Sequence, residues 1–398
     1  MNIFKQCVLL LALVALTAAN ASAAGFATYE WGARGNALGG AMVARKTADP
    51  SSQAFNPALI TEIEGTQIAM GFSTVTPAAE VDVNGETSHG LTNTWVLPHG
   101  YLTHEWEDDL WVGVGVFSRF GLGTEYEEDW PGRYNVHQAT IQSSSFNPVM
   151  AYKINEEWSV AAGLEFTWFQ FKKRQFLNIA AQDREILISG DSIAFAPNLG
   201  VTYKPADWVS FGASYRATQR HHVSGNLEVS NPLPGVLADG GAGGNITLPA
   251  SYSFGVCFYP MEKLSVETGF VFTQWSSYDQ FTIESDNAID LASRSKYSDV
   301  WRLNIGVEYE YNDDWTLRTG YVFDESPLNK NHLDYMVPAN DRHLFNFGAG
   351  YKIDEHWNVD GSYTYLHMEE RNGMVGAQMA KFHDGNAHIF GLTVGYTF

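Results

Sequence analysis

Cysteine, basic side chains and long apolar runs are all scarce in this chain of 398 residues. It has 2 cysteines, and because Cys7 lies in the N-terminal leader described below, Cys257 has no partner for an internal disulfide. There are 24 Lys and Arg residues against 45 Asp and Glu residues, a formal net charge of −21. We therefore expect no nucleic acid partner, since binding phosphates requires clustered Lys and Arg. Beyond the leader no apolar run approaches about 18 residues, so no transmembrane helix is predicted.

Motifs for catalysis and metal binding are also missing. The sequence has no Gly-x-Ser-x-Gly elbow and no nucleophile placed beside a base. His99, His104 and the pair His221-His222 have no carboxylate or cysteine at metal-ligand spacing. We therefore predict that the protein is not an enzyme and that it has no cofactor and no metal site.

The first 23 residues are predicted to form a secretory signal peptide. Lys5 supplies the positive n-region, Val8 to Leu16 is an apolar h-region, and Ala21-Ser22-Ala23 is a cleavage site of the A-x-A type. The apolar run is too short to span a membrane. The leader therefore predicts export rather than a membrane anchor.

Aromatic residues, glycine and a repeated turn are abundant. The chain is 14% aromatic and has 37 glycines, which is typical of the aromatic girdles and strands of a membrane β-barrel. Short acidic turns followed by a bulky residue recur along the chain. A tryptophan after such a turn is expected at the periplasmic headgroup level. The tryptophans concerned are Trp111, Trp158, Trp208, Trp315 and Trp357.

One long polar loop separates each pair of consecutive short turns. Short turns on one side and long loops on the other are typical of a barrel in the bacterial cell outer membrane. The predicted fold class is all-β, a fourteen-stranded antiparallel transmembrane β-barrel. Upward strands are expected to begin near Gln67, Leu110, Trp158, Val209, Leu264, Trp315 and Trp357, and downward strands near Thr94, His137, Ser192, Thr247, Val300, Arg342 and Ala387.

Strict alternation predicts which face of each strand meets lipid. Between Trp301 and Tyr311 the odd-numbered residues are bulky and apolar, whereas Arg302, Asn304 and Glu308 lie on the other face. A soluble barrel would place its apolar face inward. Apolar residues outside and polar residues inside therefore favour a membrane barrel.

Residues 25–66 are the one long part of the mature chain that does not alternate. They are rich in small residues and contain Gly39, Gly40 and the tripeptide Asn56-Pro57-Ala58. We interpret this stretch as an N-terminal hatch inside the barrel, which we call the plug. The predicted organisation is a signal peptide over residues 1–23, the plug over residues 24–66 and the barrel over residues 67–398.

The strand register also predicts apolar side chains inside the outer half of the barrel. A water-filled porin should have a polar lumen, so these side chains indicate an amphipathic or apolar cargo. The alternative is that they pack against loops or the plug, because register slips at bulges. The residues are Phe117, Phe169, Phe171, Trp275 and Val322.

Two inward-facing cations lie near the same level. Arg216 and Arg302 beside apolar walls would suit a fatty carboxylate. The alternative is a salt-bridge network with lumen carboxylates such as Glu165, Glu267 and Glu308.

The run Phe120-Gly121-Leu122-Gly123 is unusual for a strand. Two close glycines favour a bulge or kink, and a kink in the third strand could open a side window for a cargo that prefers lipid to water. The alternative is that this run is simply the end of the strand.

Four stretches together resemble one family, the FadL family of outer-membrane transporters for long-chain fatty acids and other hydrophobic compounds, which includes a toluene-uptake branch. The resemblance implies a fourteen-stranded barrel, a hatch that contains the Asn-Pro-Ala segment, and a kinked third strand at Phe120 to Gly123. It also implies that ligand binds in an outer groove, then inside the barrel, and leaves sideways as the hatch shifts. The stretches are Gly35 to Ala41 with Asp49-Pro50 and Asn56-Pro57-Ala58, Phe120 to Tyr126 with Trp130 to Tyr134, Leu317 to Tyr321 with Glu325-Ser326-Pro327, and Pro338 to Arg342 with Gly348 to Tyr351.

The predicted function is passive outer-membrane transport of hydrophobic molecules, with long-chain fatty acids as the first cargo considered. Uptake of aromatic hydrocarbons by the same mechanism is an alternative. A structural or adhesive barrel whose acidic loops bind divalent cations, lipopolysaccharide or host surfaces is another. The expected partners are a hydrophobic small molecule and the surrounding outer-membrane lipid and lipopolysaccharide.

Overall fold

The computed structural model describes residues 25–278, 280–286, 291–294, 296–328 and 333–398. The predicted signal peptide, residues 1–23, lies outside the described residues. The chain forms a closed antiparallel barrel of fourteen strands. In the described part of the chain these consist of β1 (Thr66–Val83), β2 (Glu86–His89), β3 (Trp95–Glu107), β4 (Leu110–Phe117), β5 (Gly121–Glu125), β6 (Gln138–Lys153), β7 (Trp158–Ile179), β8 (Gln182–Ala206), β9 (Val209–Arg216), β10 (Gln219–Val229), β11 (Gly240–Leu248), β12 (Ser251–Met261), β13 (Leu264–Thr273), β14 (Gln280–Ser285), β15 (Leu291–Arg294), β16 (Val300–Glu310), β17 (Trp315–Asp324), β18 (Arg342–Lys352), β19 (Trp357–Met368), β20 (Arg371–Val375) and β21 (Gln378–Thr397).

Several barrel strands are divided into two segments. The third barrel strand is β4 with β5, the seventh is β9 with β10, the eighth is β11 with β12, and the ninth is β13 with β14. The pairing of β1 with β21 closes the barrel, and β2, β15 and β20 extend hairpins on the side of the long loops. The described helices are short: α1 (Ala33–Ala37), α2 (Ser52–Phe55) and two 3-10 helices, Pro57–Glu62 and Trp275–Ser277. None of these described helices has the length and apolar character needed to cross a bilayer.

The predicted starts of the upward strands are confirmed. β4, β7, β9, β13, β17 and β19 begin at the expected residues, and β1 begins one residue early. Three predicted downward starts, Ser192, Thr247 and Ala387, are wrong because β8, β11 and β21 begin several residues earlier. The first residues of these three strands lie beyond the lipid-facing band. Their outward side chains are polar, so an alternation of apolar residues does not mark them as strand.

The predicted lipid face is also confirmed. In β16, Trp301 is 46% exposed and Leu303 51% exposed, whereas Arg302 and Asn304 are 5% and 6% exposed. Side chains that are exposed on the outside of this barrel face hydrocarbon, so the apolar residues are correctly placed for a membrane.

Local hydrogen bonds explain why the short turns recur. Oδ1 of Asn155 accepts bonds from the backbone N–H groups of Glu157 and Trp158, at 2.9 and 2.8 Å. Asn312 and Asp354 make the equivalent pair of bonds in their own turns. An Asn or Asp side chain that bonds to the backbone two and three residues ahead stabilises a turn without contacts from distant residues. These turns can therefore be predicted from the sequence.

The prediction for Trp111 is wrong. Trp158, Trp208, Trp315 and Trp357 are exposed at the short-turn end, but Trp111 is 4% exposed. Its Nε1–H donates to the backbone oxygen of Ile63 at 2.7 Å. The ring therefore faces inward, because an indole at this position covers the end of the plug.

The plug occupies the barrel interior over residues 25–65. Asn56 lies at its junction with the wall: Nδ2 donates to the backbone oxygens of Val43 and Val201 at 2.7 and 3.0 Å. Oδ1 accepts from the N–H of Ala58, which caps the 3-10 helix that begins at Pro57. This side chain thus ties two parts of the plug to the wall.

Gly39 and Gly40 form the turn after α1. Both have positive φ angles, 62° and 80°, in the region that favours glycine. A β-carbon on Gly39 would lie 2.7 Å from Cγ2 of Val322. The turn therefore needs glycine both for its backbone conformation and for its close approach to the inward-facing Val322.

Candidate functional site

Buried ion pairs hold one side of the plug to the wall. The guanidinium of Arg34 binds both carboxylate oxygens of Glu308, at 2.9 and 2.8 Å. Glu308 also accepts from Arg318 at 2.5 Å, and Arg318 bonds to Asp360 at 2.6 Å. Because each charge has a partner of opposite sign, the network avoids the cost of an isolated buried charge.

A second plug arginine is enclosed nearby. Arg45 donates to the backbone oxygens of Ala41 and Gly306 and to the hydroxyl of Ser265. Glu267 lies 3.6 Å from it and accepts the backbone N–H of Val43 at 2.7 Å. The carboxylates of Glu267 and Glu308 on the barrel wall therefore bind charged and backbone N–H groups of the plug.

Arg216 fastens the opposite side of the plug. Its guanidinium bonds to Glu165 at 2.8 Å and to the backbone oxygens of Gln53 and Ala54 at 3.2 and 2.7 Å. Arg119 shares the same carboxylate at 3.3 Å. The interpretation of Arg216 as a ligand-binding cation is therefore replaced by the salt-bridge alternative, since its hydrogen-bonding groups are used by the plug.

Arg302 is in a similar position. It bonds to Asp324 at 3.0 Å, and Arg342 binds the same carboxylate. Its guanidinium also lies over the ring of Tyr29, 4.3 Å from the centroid. Here too the salt-bridge alternative describes the geometry, with Asp324 as the partner.

Above the plug lies a large buried apolar cluster, which we call the upper chamber. Phe169, Phe171 and Trp275 belong to it, whereas Phe117 packs in a separate cluster with plug side chains. Trp275 is the only one of the four outside a strand, in a 3-10 helix. Phe26, near the start of the described chain, inserts its ring into the chamber 4.9 Å from that of Trp275, in an edge-to-face contact.

A loop closes the chamber from outside. Tyr335 and Met336, between β17 and β18, belong to the same cluster. Trp130 stacks on Tyr126 at 3.9 Å and meets Tyr335 edge-on at 5.0 Å. The hydroxyl of Thr124 donates to the backbone oxygen of Met336 at 3.0 Å. The chamber is thus packed from above by the loop and from below by the plug.

Lys173 lies beside the upper chamber, paired across the sheet with Ala139 and Ile188 of the cluster. It continues the inward-facing series of Phe169 and Phe171 on β7. Burial lowers the pKa of its ammonium, and the negative charge of Asp334 acts in the opposite direction. Within the described part of the chain it makes no ion pair at contact distance, unlike Arg216.

Asp334 and Tyr297 are two further polar residues at the upper chamber. Asp334 acts electrostatically on Tyr297 as well as on Lys173. The Tyr297 hydroxyl is buried and has no hydrogen-bond partner among the described residues. A buried hydroxyl left unpaired costs about 1–3 kcal/mol, which a ligand with an acceptor oxygen would recover. Asp334 is therefore within electrostatic range of both Lys173 and Tyr297.

The third barrel strand is interrupted at residues 118–120. β4 ends at Phe117 and β5 begins at Gly121. Gly121, Leu122 and Gly123 pair regularly with β6, so the expected kink is displaced toward the periplasm and includes only Phe120 of the predicted run. The glycines are not the cause of the break.

The plug supplies most of the hydrogen bonds at the interruption, and the Ser143 hydroxyl on β6 bonds to the backbone N–H and oxygen of Phe120. The backbone N–H of Thr28 donates to the oxygen of Arg119 at 2.8 Å, and the N–H of Gly121 donates to the oxygen of Phe26 at 2.8 Å. The Thr28 hydroxyl and the Trp31 indole both donate to the backbone oxygen of Ser118, at 2.6 and 2.8 Å. The N-terminal segment of the plug, residues 26–31, is therefore bonded directly to the break in the wall.

The interruption leaves a gap between the second and third barrel strands. β3 pairs with β4 as far as Gly100 and Val116, and the described residues of β3 and β5 share no ladder pair. The indole of Trp95, on β3, packs against Gly123 in this gap. A cavity of about 60 Å³ lined by Gly123 and Thr124 adjoins it on the inside. The gap is thus closed by the Trp95 ring and, toward the long loops, by one backbone bond from the N–H of Leu91 to the oxygen of Glu125 at 2.8 Å.

A closed barrel with a lipid-facing apolar surface, an internal plug and a buried apolar chamber defines a channel for hydrophobic compounds in the outer membrane. Over residues 14–398 the sequence matches the Toluene_X family, described as outer membrane protein transport protein (OMPP1/FadL/TodX), and the chain belongs to that family. The family consists of outer-membrane transport channels, so the protein is a transporter of hydrophobic compounds and not an enzyme.

Individual relatives agree with this assignment. The chain is 24% identical to the long-chain fatty acid transport protein of Salmonella typhi, over 97% of each chain. The crystal structure of a Pseudomonas aeruginosa FadL homologue superposes with a TM-score of 0.85 at 18% identity, covering 94% of this chain and 99% of that one. The Pseudomonas putida toluene transporter TodX gives a TM-score of 0.78 at 18% identity, covering 94% and 100%. At these identities the two structures show the shared fold.

The sequence did not predict Lys173, Trp95, Tyr297 or Asp334. Tyr297 and Asp334 lie outside the strands, where alternation gives no signal. Lys173 follows Phe169 and Phe171 at the period of a strand, so the alternation that placed those rings inside could have placed the lysine there as well. Trp95 had no such signal, because its contact with Gly123 depends on which strands face each other across the gap.

Proposed function

We propose that this transporter takes up long-chain fatty acids passively, with Lys173 binding the carboxylate and the upper chamber holding the alkyl chain. The observation that carries the proposal is an inward-facing lysine without a close ion pair at the edge of a buried apolar cluster. A carboxylate bound by an ammonium and a hydroxyl makes charge-assisted hydrogen bonds. An alkyl chain in the chamber gains roughly 0.8 kcal/mol for each buried methylene group.

In this proposal a ligand carboxylate competes with Asp334 for Lys173. Its negative charge attracts Lys173 in the described conformation, and burial raises the pKa of its carboxyl. A fatty carboxylate would take over that attraction to Lys173. Because Asp334 lies in the loop that closes the chamber, ligand binding and loop position are coupled in this proposal.

The exit route in this proposal is the gap beside the third barrel strand. A cargo in the chamber lies next to Phe26, whose backbone oxygen is bonded to Gly121 at the break. A shift of the plug's N-terminal segment would release those bonds. Displacement of Trp95 and loss of the bond from Leu91 to Glu125 would open the wall toward lipid. An apolar molecule would then leave sideways without crossing water.

Direct binding to the purified protein in detergent tests the proposal. Wild type, Lys173→Met and the control Lys172→Met are titrated with a labelled long-chain fatty acid and with toluene. Lys172 is the adjacent residue, exposed on the outer face. We expect saturable fatty-acid binding that is weakened about tenfold or more, roughly 1.4 kcal/mol, by Lys173→Met alone. Equal affinity in all three proteins would contradict the role of Lys173.

Aromatic hydrocarbons are a second candidate cargo, because aromatic rings form much of the chamber. Phe26, Trp275, Tyr278 and Tyr297 make a continuous set of ring contacts with centroid distances between 4.9 and 5.5 Å. Offset and edge-to-face contacts of this kind also suit a flat aromatic ligand. Toluene binding that is stronger than fatty-acid binding and unaffected by Lys173→Met would favour this candidate.

A further inference from the structure

A cluster of histidine and carboxylate side chains lies where the first and last barrel strands meet. Glu80 on β1 and His383 and Asp384 on β21 each place one ligand atom within 4.8 Å of the others. The three residues lie on the long-loop side of the lipid-facing band, which β21 enters further along at Phe390. The cluster is separate from the upper chamber and from the plug.

A bulge in the closing pair of strands brings these side chains together. The register of β1 with β21 shifts between Ala78 and Glu80, and Asp384 has a φ of 52°. In a regular strand adjacent side chains point to opposite faces. At a bulge two residues oppose one, so His383 and Asp384 both approach Glu80.

Both imidazole nitrogens of His383 face carboxylates. Nδ1 lies 2.7 Å from Oδ2 of Asp384, and Nε2 lies 3.3 Å from Oδ1 of Asp82. The nearby ammonium of Lys381 lies 2.9 Å from a carboxylate oxygen of Glu370. Glu80 in turn lies 3.1 Å from Nδ1 of His89 on β2. The cluster therefore combines two imidazoles with three carboxylates, and its nearest lysine is paired elsewhere.

We propose that Glu80, His383 and Asp384 bind a divalent transition-metal ion of the Zn²⁺ class. Such an ion takes nitrogen and oxygen ligands at about 2.0–2.2 Å in tetrahedral geometry, which places ligand atoms roughly 3.4 Å apart. Nδ1 of His383 and Oδ2 of Asp384 are hydrogen-bonded at 2.7 Å and would move apart by less than about 1 Å to admit the ion. An imidazole ligand selects transition metals, whereas Ca²⁺ and Mg²⁺ prefer oxygen alone. Asp82 then accepts the Nε2–H bond that fixes the ring of a metal-bound histidine.

The bound ion would join the two ends of the barrel. Glu80 belongs to the first barrel strand and the other two ligands belong to the last, so coordination adds a link across the closing seam above the lipid-facing band. An ion that binds the folded barrel and not the unfolded chain stabilises the barrel in proportion to the logarithm of its free concentration above its Kd.

The test uses the full mature protein, without a polyhistidine tag, purified in detergent and freed of metal with a chelator. Zn²⁺ binding is measured by calorimetry and by metal content after dialysis, for wild type, His383→Ala, Asp384→Asn and the control His388→Ala. Asn tolerates a positive φ, so Asp384→Asn keeps the bulge. His388 lies on the same strand and bonds to the Tyr363 hydroxyl at 2.9 Å, outside the cluster.

We expect one Zn²⁺ per chain in wild type and in His388→Ala, with affinity at least about tenfold weaker in the other two variants. Zn²⁺ should also raise the temperature of barrel unfolding in wild type and not in His383→Ala. The proposal is overturned if wild type binds no Zn²⁺ at micromolar concentrations, or if His383→Ala binds it equally well. It is also overturned if Ca²⁺ displaces Zn²⁺ at equal concentration, because that result would mean a site of oxygen ligands alone.

Discussion

The indole of Trp95 packs directly on Gly123, across the place where the second and third barrel strands share no ladder pair. A β-carbon on Gly123 would lie 2.2 Å from Cζ2 of that indole. The ring of Trp95 packed on Gly123 and one backbone bond from Leu91 to Glu125 therefore close the wall here. A wall held in this way can open by the movement of one ring and the loss of one backbone bond, which costs far less than breaking a series of strand hydrogen bonds.

Trp95→Ala should speed the release of an apolar cargo through this gap. The barrel should still fold, because the ladders on both sides of the gap remain, at a cost of no more than about 3–5 kcal/mol for removing the ring. Gly123→Val should act in the same direction, since the new side chain displaces the indole. The measurement is cellular uptake of a fluorescent fatty acid, normalised to surface abundance.

Trp106→Ala is the matched control for that experiment. Trp106 is on the same strand, β3, and is 63% exposed at its other end, so its loss should leave uptake unchanged. Equal uptake by wild type and Trp95→Ala would contradict the gap as a route for the cargo.

Arg216→Met should loosen the plug rather than abolish ligand binding. The substitution removes the donor to Gln53 and Ala54 and leaves Arg119 as the one cation paired with Glu165 among the described residues. Breaking a buried pair on one side costs about 3–5 kcal/mol. We expect more frequent channel openings in planar bilayers, with fatty-acid affinity close to that of wild type.

Arg220→Met provides the comparison, because Arg220 lies on the outer face of β10 and is exposed. Its single-channel record should match wild type. A closed channel in Arg216→Met, together with lost fatty-acid binding, would restore the earlier interpretation of Arg216 as a ligand contact.

Structural features that depend on interactions within one short segment could be predicted from the sequence. The turns at Asn155 and Asp354 were predictable, because each bonds to its own backbone. The faces of β16 were predictable, because alternation is a property of one strand. The number of strands followed from counting the same turns.

Features that depend on two distant segments were not predictable in the same way. The break at Ser118 was displaced toward Gly121 and Gly123 in the prediction, because the glycines are visible and the bonds from Thr28 are not. Arg216 looked available for a ligand, since a sequence does not show that plug carbonyls lie against it. Trp111 looked like a girdle residue for the same reason.

The affinity for a fatty acid should depend on pH through Lys173. Burial lowers the pKa of this ammonium below its ordinary value near 10.5, and only the protonated form attracts a carboxylate. Affinity should therefore be full below the lowered pKa and fall as pH rises through it. Titrations at several pH values between about 7 and 10 measure the effect.

Two variants separate this mechanism from a general effect of alkali. Lys173→Arg should keep the affinity and remove the decline, because a guanidinium stays charged throughout that range. Asp334→Asn should raise the affinity at neutral pH, since it removes the carboxylate that competes for Lys173. A decline of the same size in Lys173→Arg would mean that another group titrates.

Deleting residues 25–57 should convert the protein into an open pore. The deletion removes both plug arginines, Arg34 and Arg45, and the backbone groups that meet Glu267, while every barrel strand remains. The exposed wall carries charged and polar side chains, so water can fill the space and the barrel need not collapse. We expect steady ion conductance in planar bilayers, with heat-modifiable migration on gels as the check that the barrel is folded. Conductance equal to that of wild type in a folded deletion variant would show that something other than the plug blocks the channel, and the loop around Tyr335 that closes the upper chamber would then be the segment to remove.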